Sequence, residues 1–122
     1  MNFDIEYFET SIIIKKAANF NLADTLDCGQ AFRWYENEGK WYGIAHGKRL
    51  CLYNQGDDIV IEGASKEDFD NIWRTYFDLD RDYGAVITAV SADLRLNKIC
   101  ARTSGIRILK QDEWEAICSF II

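Results

Sequence analysis

The sequence predicts one α+β domain, a twisted antiparallel sheet covered by helices. Two observations predict it. Residues 7–62 contain short runs rich in β-branched and aromatic side chains, and turn residues separate these runs. From Ser65 onward, apolar residues recur with the period of a helix instead. Because the 122 residues include no proline, no repeat and no Gly/Ser-rich linker, no domain boundary is expected between the two halves.

The first half contains five predicted strands and one short helix. The strands are expected at residues 10–16, 30–36, 40–45, 49–53 and 58–62. The last four are joined by short turns, such as Asn37-Glu38-Gly39. Since short turns exclude parallel crossovers, these four strands are predicted to form an antiparallel meander. Residues 21–27 are predicted to be a helical turn that Asn21 caps.

The second half begins with the clearest helix signal in the chain. Ser65 and Asp68 form a capping-box-like start. Five apolar residues at helical spacing follow on one face: Phe69, Ile72, Trp73, Tyr76 and Phe77. This stripe is predicted to cover one face of the sheet, which would otherwise leave Phe32, Trp34 and Trp41 exposed.

Three more helices are predicted, at residues 81–90, at residues 93–102 and after Asp112, which can cap the last one. The last helix has one apolar face: Trp114, Ile117, Cys118 and Ile121. The sequence then ends in Ser-Phe-Ile-Ile, without the Gly, Lys, Arg or Pro that commonly stops a helix. We therefore expect this helix to continue into another domain. The alternative is a C-terminal helix that docks on the core.

Charge and hydropathy exclude several classes of protein. A net charge of −6 disfavours strong non-specific binding of nucleic acid by this chain alone. One stretch is basic, and we interpret it as a solvated helix surface followed by a basic strand: Arg95, Lys98, Arg102, Arg107 and Lys110. The first ten residues do not resemble a secretory signal, and no apolar run approaches the roughly 20 residues of a membrane-spanning helix. We expect an intracellular protein without a membrane partner.

Cysteine and histidine patterns give no support for a metal site. His46 is the only histidine, and the four cysteines are widely spaced without a CxxC pair: Cys28, Cys51, Cys100 and Cys118. We expect no metal and no other cofactor, reduced and mostly buried thiols, and an exposed loop position for His46. Two disulfides in a secreted protein are the alternative. No catalytic motif is recognisable, and the acidic residues near the helix starts complement helix dipoles.

The segment that stands out is residues 24–34, Asp-Thr-Leu-Asp-Cys-Gly-Gln-Ala-Phe-Arg-Trp. A glycine between a helical turn and a strand ends the helix, because it adopts positive φ without strain. Gln30, Phe32 and Trp34 would then share one face of the following strand. Arg33 would point to the opposite face. Taken alone, this pattern favours a structural role.

Three landmarks give the chain a family resemblance. The Gly-Gln-x-Phe-Arg-Trp core of residues 29–34 resembles the motif of the N-terminal domain of 8-oxoguanine DNA glycosylases. Residues 76–80 and 105–112 are similar to the later landmarks of that family, in the same order. The resemblance implies a fold similar to a TATA-binding-protein repeat over residues 1–110. Residues 111–122 would begin a helix that leads into an absent helix-hairpin-helix domain.

The resemblance also implies a function in base-excision repair. Enzymes of this family flip oxidised guanine out of damaged duplex DNA. A lysine then displaces the base and forms a Schiff base with the sugar, assisted by an aspartate, and many members also nick the strand. Both residues belong to the helix-hairpin-helix domain, so no catalytic residue is expected here. The implied partners are damaged duplex DNA and the enzyme's own catalytic domain. The alternative function is a free-standing acidic α+β module that binds another protein.

Gly29 is the one site residue that the motif carries over. The resemblance implies that its backbone carbonyl accepts a hydrogen bond from the N7–H of the oxidised base. Normal guanine has an acceptor lone pair at N7, so the same carbonyl would repel it. A glycine leaves room for the base because it has no Cβ. Four neighbours are expected to hold the loop around this pocket without touching the base: Gln30, Phe32, Arg33 and Trp34.

Overall fold

The computed structural model describes residues 3–27, 30–31, 33–99 and 105–121. Its sheet is built from β1 (Asp4–Tyr7), β2 (Ser11–Lys15), β3 (Trp34–Asn37), β4 (Lys40–Ala45), β5 (Lys48–Gln55) and β6 (Asp58–Glu62). The strand order is β1-β2-β6-β5-β4-β3, and every neighbouring pair is antiparallel. The predicted α+β class, the antiparallel sheet and the meander from β3 to β6 are confirmed.

Two details of the strand prediction are wrong. The sequence pattern does not predict β1, a short edge strand that pairs with β2 from Asp4 opposite Lys15 to Tyr7 opposite Ile12. Four residues give too little alternation to be recognised without the partner strand. The strand predicted at residues 30–36 begins only at Trp34. Gln30 lies outside the ladder because its side chain is engaged with another part of the chain.

The helices begin where their capping residues predict. Helix α1 spans Leu22–Leu26, α3 spans Tyr83–Ser91 and α4 spans Glu113–Ile121. We call residues 66–76 α2, which is α-helical over Lys66–Asp68, π-helical over Phe69–Trp73 and α-helical again over Arg74–Tyr76. The predicted caps are confirmed: Asn21 accepts from the Asp24 N–H, Ser65 from the Asp68 N–H and Asp112 from the Glu115 N–H.

The core lies between one face of the sheet and α2. Phe69, Trp73 and Phe77 are fully buried, and Trp34 and Trp41 are nearly so. These rings pack on those of neighbouring residues, with Trp73 stacked on Phe77 at 6.1 Å between ring centroids. The prediction that the α2 stripe covers the sheet is therefore confirmed for the residues described, and Phe32 lies outside them.

The basic stretch is not built as the sequence suggests. Residues 106–112 form no strand, and Arg107 is fully buried where a solvated side chain is expected. The helix predicted at residues 93–102 is helical at residues 97–99, and residues 100–104 lie outside the described part. Cys51 and Cys118 carry free, half-buried thiols, whereas Cys28 and Cys100 lie outside the described ranges. No helix within those ranges is long and apolar enough to cross a membrane.

Gly43 is required by the close packing of two neighbouring strands. It pairs with Trp34, and a Cβ added at Gly43 would lie 2.4 Å from two atoms of the Trp34 indole. We expect Gly43→Ala to lower the free energy of unfolding by about 2–3 kcal/mol, because the indole must leave its packed position. Urea unfolding measures this effect. Gly84→Ala is the matched control, since its Cβ meets only side-chain ends at 3.3 Å. Equal stability of the two variants would contradict the prediction.

Candidate functional site

Of the residues singled out by the motif, Gln30 and Arg33 lie on the connection between α1 and β3, and Trp34 is the first residue of β3. Gly29 and Phe32 are outside the described residues, whereas Gln30, Arg33 and Trp34 are described. These three side chains make three different kinds of contact. Gln30 binds a distant backbone segment, Trp34 enters the core and Arg33 reaches α4.

Gln30 uses both ends of its side-chain amide. Its Nε2 donates to the carbonyl of Thr25 at 3.1 Å and to that of Arg107 at 2.7 Å. Its Oε1 accepts from the backbone N–H of Leu109 at 2.9 Å. The backbone carbonyl of Gln30 accepts in turn from Nε2 of Gln111. Gln30 therefore ties the connection to residues 105–111, which we call the 105–111 segment.

The 105–111 segment is also bonded to the start and the end of α1. The N–H of Asn21 donates to the carbonyl of Gly105 at 2.8 Å. The hydroxyl of Thr25 donates to the same carbonyl and accepts from the N–H of Arg107, each at 3.2 Å. Lys110 extends the attachment to α2 through the carbonyl of Tyr76. The 105–111 segment is thus hydrogen-bonded both to α1, which precedes the connection, and to Gln30 on the connection itself.

The guanidinium of Arg107 fixes the 105–111 segment from the interior. Its Nη1 donates to the carbonyl of Asp78 at 2.8 Å. Three rings surround its Cζ at 4.3–5.4 Å between Cζ and ring centroid: Phe3, Phe20 and Tyr83. Nε and Nη2 have no hydrogen-bond partner among the described residues. Burial lowers the pKa of this guanidinium, and the negative charge of Asp78 acts against that shift.

Asp78 is a nearly buried carboxylate beside this cation. Burial by itself would raise the pKa of Asp78, but hydrogen bonds from Tyr83 and Lys110 outweigh burial and lower it. Tyr83 donates to Oδ2 at 2.8 Å, and Lys110 and Arg81 lie at 3.3 and 3.0 Å from the carboxylate. The Tyr83 hydroxyl also accepts from the N–H of Ile108. This network attaches the outer side of the 105–111 segment to the start of α3.

Trp34 connects the motif with the core. Its indole Nε1 donates to the hydroxyl of Tyr76 at 3.0 Å in a buried position. Burial raises the pKa of Tyr76, so its hydroxyl stays neutral and available as an acceptor. The Tyr76 ring also makes a T-shaped contact with the His46 ring, with 5.8 Å between the ring centroids. His46 is exposed in the turn between β4 and β5, as its sequence context predicts.

Arg33 faces a carboxylate on α4. Its Nη1 lies 3.5 Å from Oε1 of Glu115. The same carboxylate accepts the backbone N–H groups of His46 at 2.7 Å and Gly47 at 2.9 Å. Glu115 thus joins the connection, the β4–β5 turn and α4 in one polar contact.

Sequence reasoning missed four residues of this arrangement: Thr25, Arg107, Gln111 and Glu115. Two of them, Arg107 and Gln111, belong to the landmark at residues 105–112, so the landmark indicated the region but not the roles. The described residues contain no group of three or more His, Cys, Asp or Glu side chains placed to hold a metal ion. What the described residues do show is backbone held in place by the side chains of Gln30, Gln111 and Glu115.

A family model and several solved structures match this chain. The model of the 8-oxoguanine DNA glycosylase N-terminal domain matches residues 12–117. The apo form of Clostridium acetobutylicum 8-oxoguanine glycosylase/lyase is 45% identical, with a TM-score of 0.92 over 99% of this chain and 43% of that chain.

Two DNA-bound structures are also similar to this chain. The Clostridium acetobutylicum enzyme in complex with double-stranded DNA containing cytosine opposite 8-oxoguanine has a TM-score of 0.92 and 45% identity, over 99% of this chain and 42% of that one. MBOgg1 in complex with a low-affinity DNA ligand is 40% identical with a TM-score of 0.91, at the same coverage. This chain therefore spans less than half of the length of the chains it matches.

Proposed function

Because the chain belongs to the 8-oxoguanine DNA glycosylase N-terminal domain family, we propose that it helps a base-excision-repair glycosylase to recognise 8-oxoguanine in duplex DNA. The proposed partners are damaged duplex DNA and the catalytic domain of the same enzyme. The matched solved structures were determined with and without DNA. An intracellular location follows from this proposal, since the DNA to be repaired lies inside the cell.

The observation that carries the proposal is the attachment of Gln30 to the 105–111 segment. Its side-chain amide satisfies two carbonyls and one N–H, all at 2.7–3.1 Å. These bonds fix the backbone at Gln30, the residue that follows Gly29 in the chain. A carbonyl in a fixed position can distinguish a ring nitrogen that carries a proton from one that carries a lone pair. We assign that carbonyl to Gly29.

We place the chemistry outside this chain. Residues 1–110 form the proposed recognition domain, and residues 111–122 begin the proposed helix-hairpin-helix domain. We propose that a catalytic lysine and aspartate belong to that second domain; this chain spans 43% of the length of the Clostridium acetobutylicum enzyme that it matches. The apolar side chains on α4 support such a neighbour, because Trp114 is 73% exposed and Ile121 is 75% exposed.

The net charge of −6 favours the alternative, an acidic module that binds another protein. The two functions differ in what the full-length protein binds. A glycosylase binds duplex containing 8-oxoguanine more tightly than undamaged duplex, whereas an interaction module does not distinguish them. Titration of both duplexes by fluorescence anisotropy separates these outcomes. The duplexes carry 2′-fluoro sugars, which resist cleavage of the glycosidic bond.

Gly29→Ala in the full-length protein tests the assignment of the carbonyl. We define the discrimination ratio as the Kd for guanine duplex divided by the Kd for 8-oxoguanine duplex. A Cβ at position 29 pushes the base away from the backbone, and one lost hydrogen bond in a buried pocket corresponds to about tenfold in affinity. We expect the ratio to fall by about tenfold.

The control is Gly39→Ala in the β3–β4 turn. Gly39 has φ +80° and open space around the position of a Cβ, so this variant tests the loss of a turn glycine far from the site. It should keep the wild-type discrimination ratio. A Gly29→Ala protein with the same ratio as wild type would remove Gly29 from the pocket.

A further inference from the structure

The carboxylate of Glu115 contacts three residues from two separate parts of the chain. It lies near the start of α4 and accepts two backbone N–H groups from the β4–β5 turn, those of His46 and Gly47. Both turn residues have positive φ, 51° and 73°, which points consecutive N–H groups toward one anion. Arg33 completes the contact at 3.5 Å.

Glu115 acts together with Gln111, which lies four residues earlier in the chain, before α4 begins. Gln111 donates from Nε2 to the backbone carbonyl of Gln30. Gln111 precedes the Asp112 cap and lies outside α4, yet its side chain reaches the connection between α1 and β3, as the Glu115 carboxylate does. The connection is therefore held on this side by two contacts, one at Gln30 and one at Arg33. Gln30 follows directly on Gly29 in the chain, and Arg33 lies three residues after Gln30.

We infer that Glu115 is a positioning residue for lesion discrimination. This inference rests on the proposed function, because it assigns to Glu115 the orientation of the backbone that includes the Gly29 carbonyl. Glu115 touches no substrate atom in this role. It fixes the distance between the connection and α4, the helix that begins the proposed catalytic domain. An error of about 1 Å in that distance would misalign the carbonyl with the N7–H of a base held by the other domain.

The chemistry of the contact requires an anion with two oxygens. Oε1 faces Arg33 and the Gly47 N–H, while Oε2 accepts from the His46 N–H. A glutamine presents only one oxygen, and its NH₂ group would face an N–H or a guanidinium. Exchanging the charges of Glu115 and Arg33 cannot restore the contact. The backbone N–H groups of the β4–β5 turn would then face a cation, although they need an acceptor.

Glu115→Gln in the full-length protein tests the inference. We expect its discrimination ratio to fall by about fivefold, since a charge-assisted contact is replaced by one weaker bond. Arg33→Gln removes one arm of the same contact and leaves the two backbone bonds to Glu115 intact. It should reduce the ratio by a smaller factor. In the double variant the two losses should not multiply, because both remove the same contact.

Glu113→Gln is the matched control. Glu113 is exposed on the same helix, and the substitution changes the charge in the same way. This variant should keep the wild-type ratio. Thermal unfolding of each protein separates positioning from folding, since a partly unfolded protein weakens binding to both duplexes equally and leaves the ratio unchanged.

The outcomes separate this inference from the function on which it rests. A wild-type ratio near one would overturn the proposed function. A clear wild-type ratio that Glu115→Gln leaves unchanged would overturn the role of Glu115 alone. If Glu115→Gln does not fold, Arg33→Gln decides, and an unchanged ratio in that variant also overturns the inference.

Discussion

Arg107→Ala should lower the free energy of unfolding by about 3–5 kcal/mol, because it removes a buried cation that fills space between aromatic rings. The guanidinium is fully buried and packs among the rings of Phe3, Phe20 and Tyr83. Truncation leaves a cavity between these rings, and the Asp78 carbonyl loses its donor. The lost packing and the lost hydrogen bond are both in the protein interior, where water cannot replace them.

Arg107→Met separates packing from charge. Methionine fills much of the same space without bringing a charge into the core, so it should recover about 1–2 kcal/mol of the loss. Urea unfolding of both variants measures the difference. Arg95→Ala is the control, because the Arg95 side chain is 89% exposed and should contribute less than about 0.5 kcal/mol, the size of an ordinary surface change. A loss at Arg107→Ala as small as that at Arg95→Ala would show that the buried guanidinium does not hold the segment.

The predicted parts of the fold are those with a local cause. Ser65 and Asp68 lie three residues apart and form the cap of α2 without help from the rest of the chain. The turn at Asn37-Glu38-Gly39 likewise sets the pairing of Trp34 with Gly43 on the neighbouring strand. Strand β1 escapes prediction because only its partner β2 makes its four residues a strand.

The missed residues have causes that are distant in sequence. A basic residue in a basic stretch is usually solvated, whereas Arg107 is buried among the rings of Phe3, Phe20 and Tyr83, which are distant from it in sequence. Glu115 resembles any acidic residue in the first turns of a helix until the β4–β5 turn is placed beside it. The motif identified Gln30, but the local pattern predicted a strand at this position. The hydrogen-bond partners that keep Gln30 out of the sheet, Arg107 and Leu109, lie 77 and 79 residues away in sequence and cannot be read from that pattern.

Gln30→Glu should lower the free energy of unfolding by about 2–3 kcal/mol at pH 7.5, although it replaces only the amide NH₂ with an oxygen. The new carboxylate still lets the side chain accept from the Leu109 N–H. It removes the donor that serves the carbonyls of Thr25 and Arg107, so two acceptors face a carboxylate. Such surroundings disfavour the charged form and raise the pKa of the introduced glutamate in the folded state.

The raised pKa gives this variant a pH dependence that a purely steric defect lacks. A protonated glutamic acid can donate again to one of the two carbonyls. For a group whose pKa is higher in the folded than in the unfolded state, the stabilising contribution is present at low pH and is lost as the pH rises through the folded pKa. The difference in stability between the variant and wild type should therefore be smaller at pH 5.5 than at pH 7.5.

Urea unfolding at both pH values measures this change, with Gln55→Glu as the control at an exposed strand end. That control should show little loss at either pH, since water solvates the new carboxylate. In the full-length protein, Gln30→Glu should also lower the discrimination ratio at pH 7.5, because the backbone after Gly29 loses two of its three side-chain bonds. A stability loss that stays the same at both pH values would mean that the carboxylate has turned away from the carbonyls. The 105–111 segment would then be held without Gln30, and the proposal that Gln30 fixes the backbone next to Gly29 would be wrong.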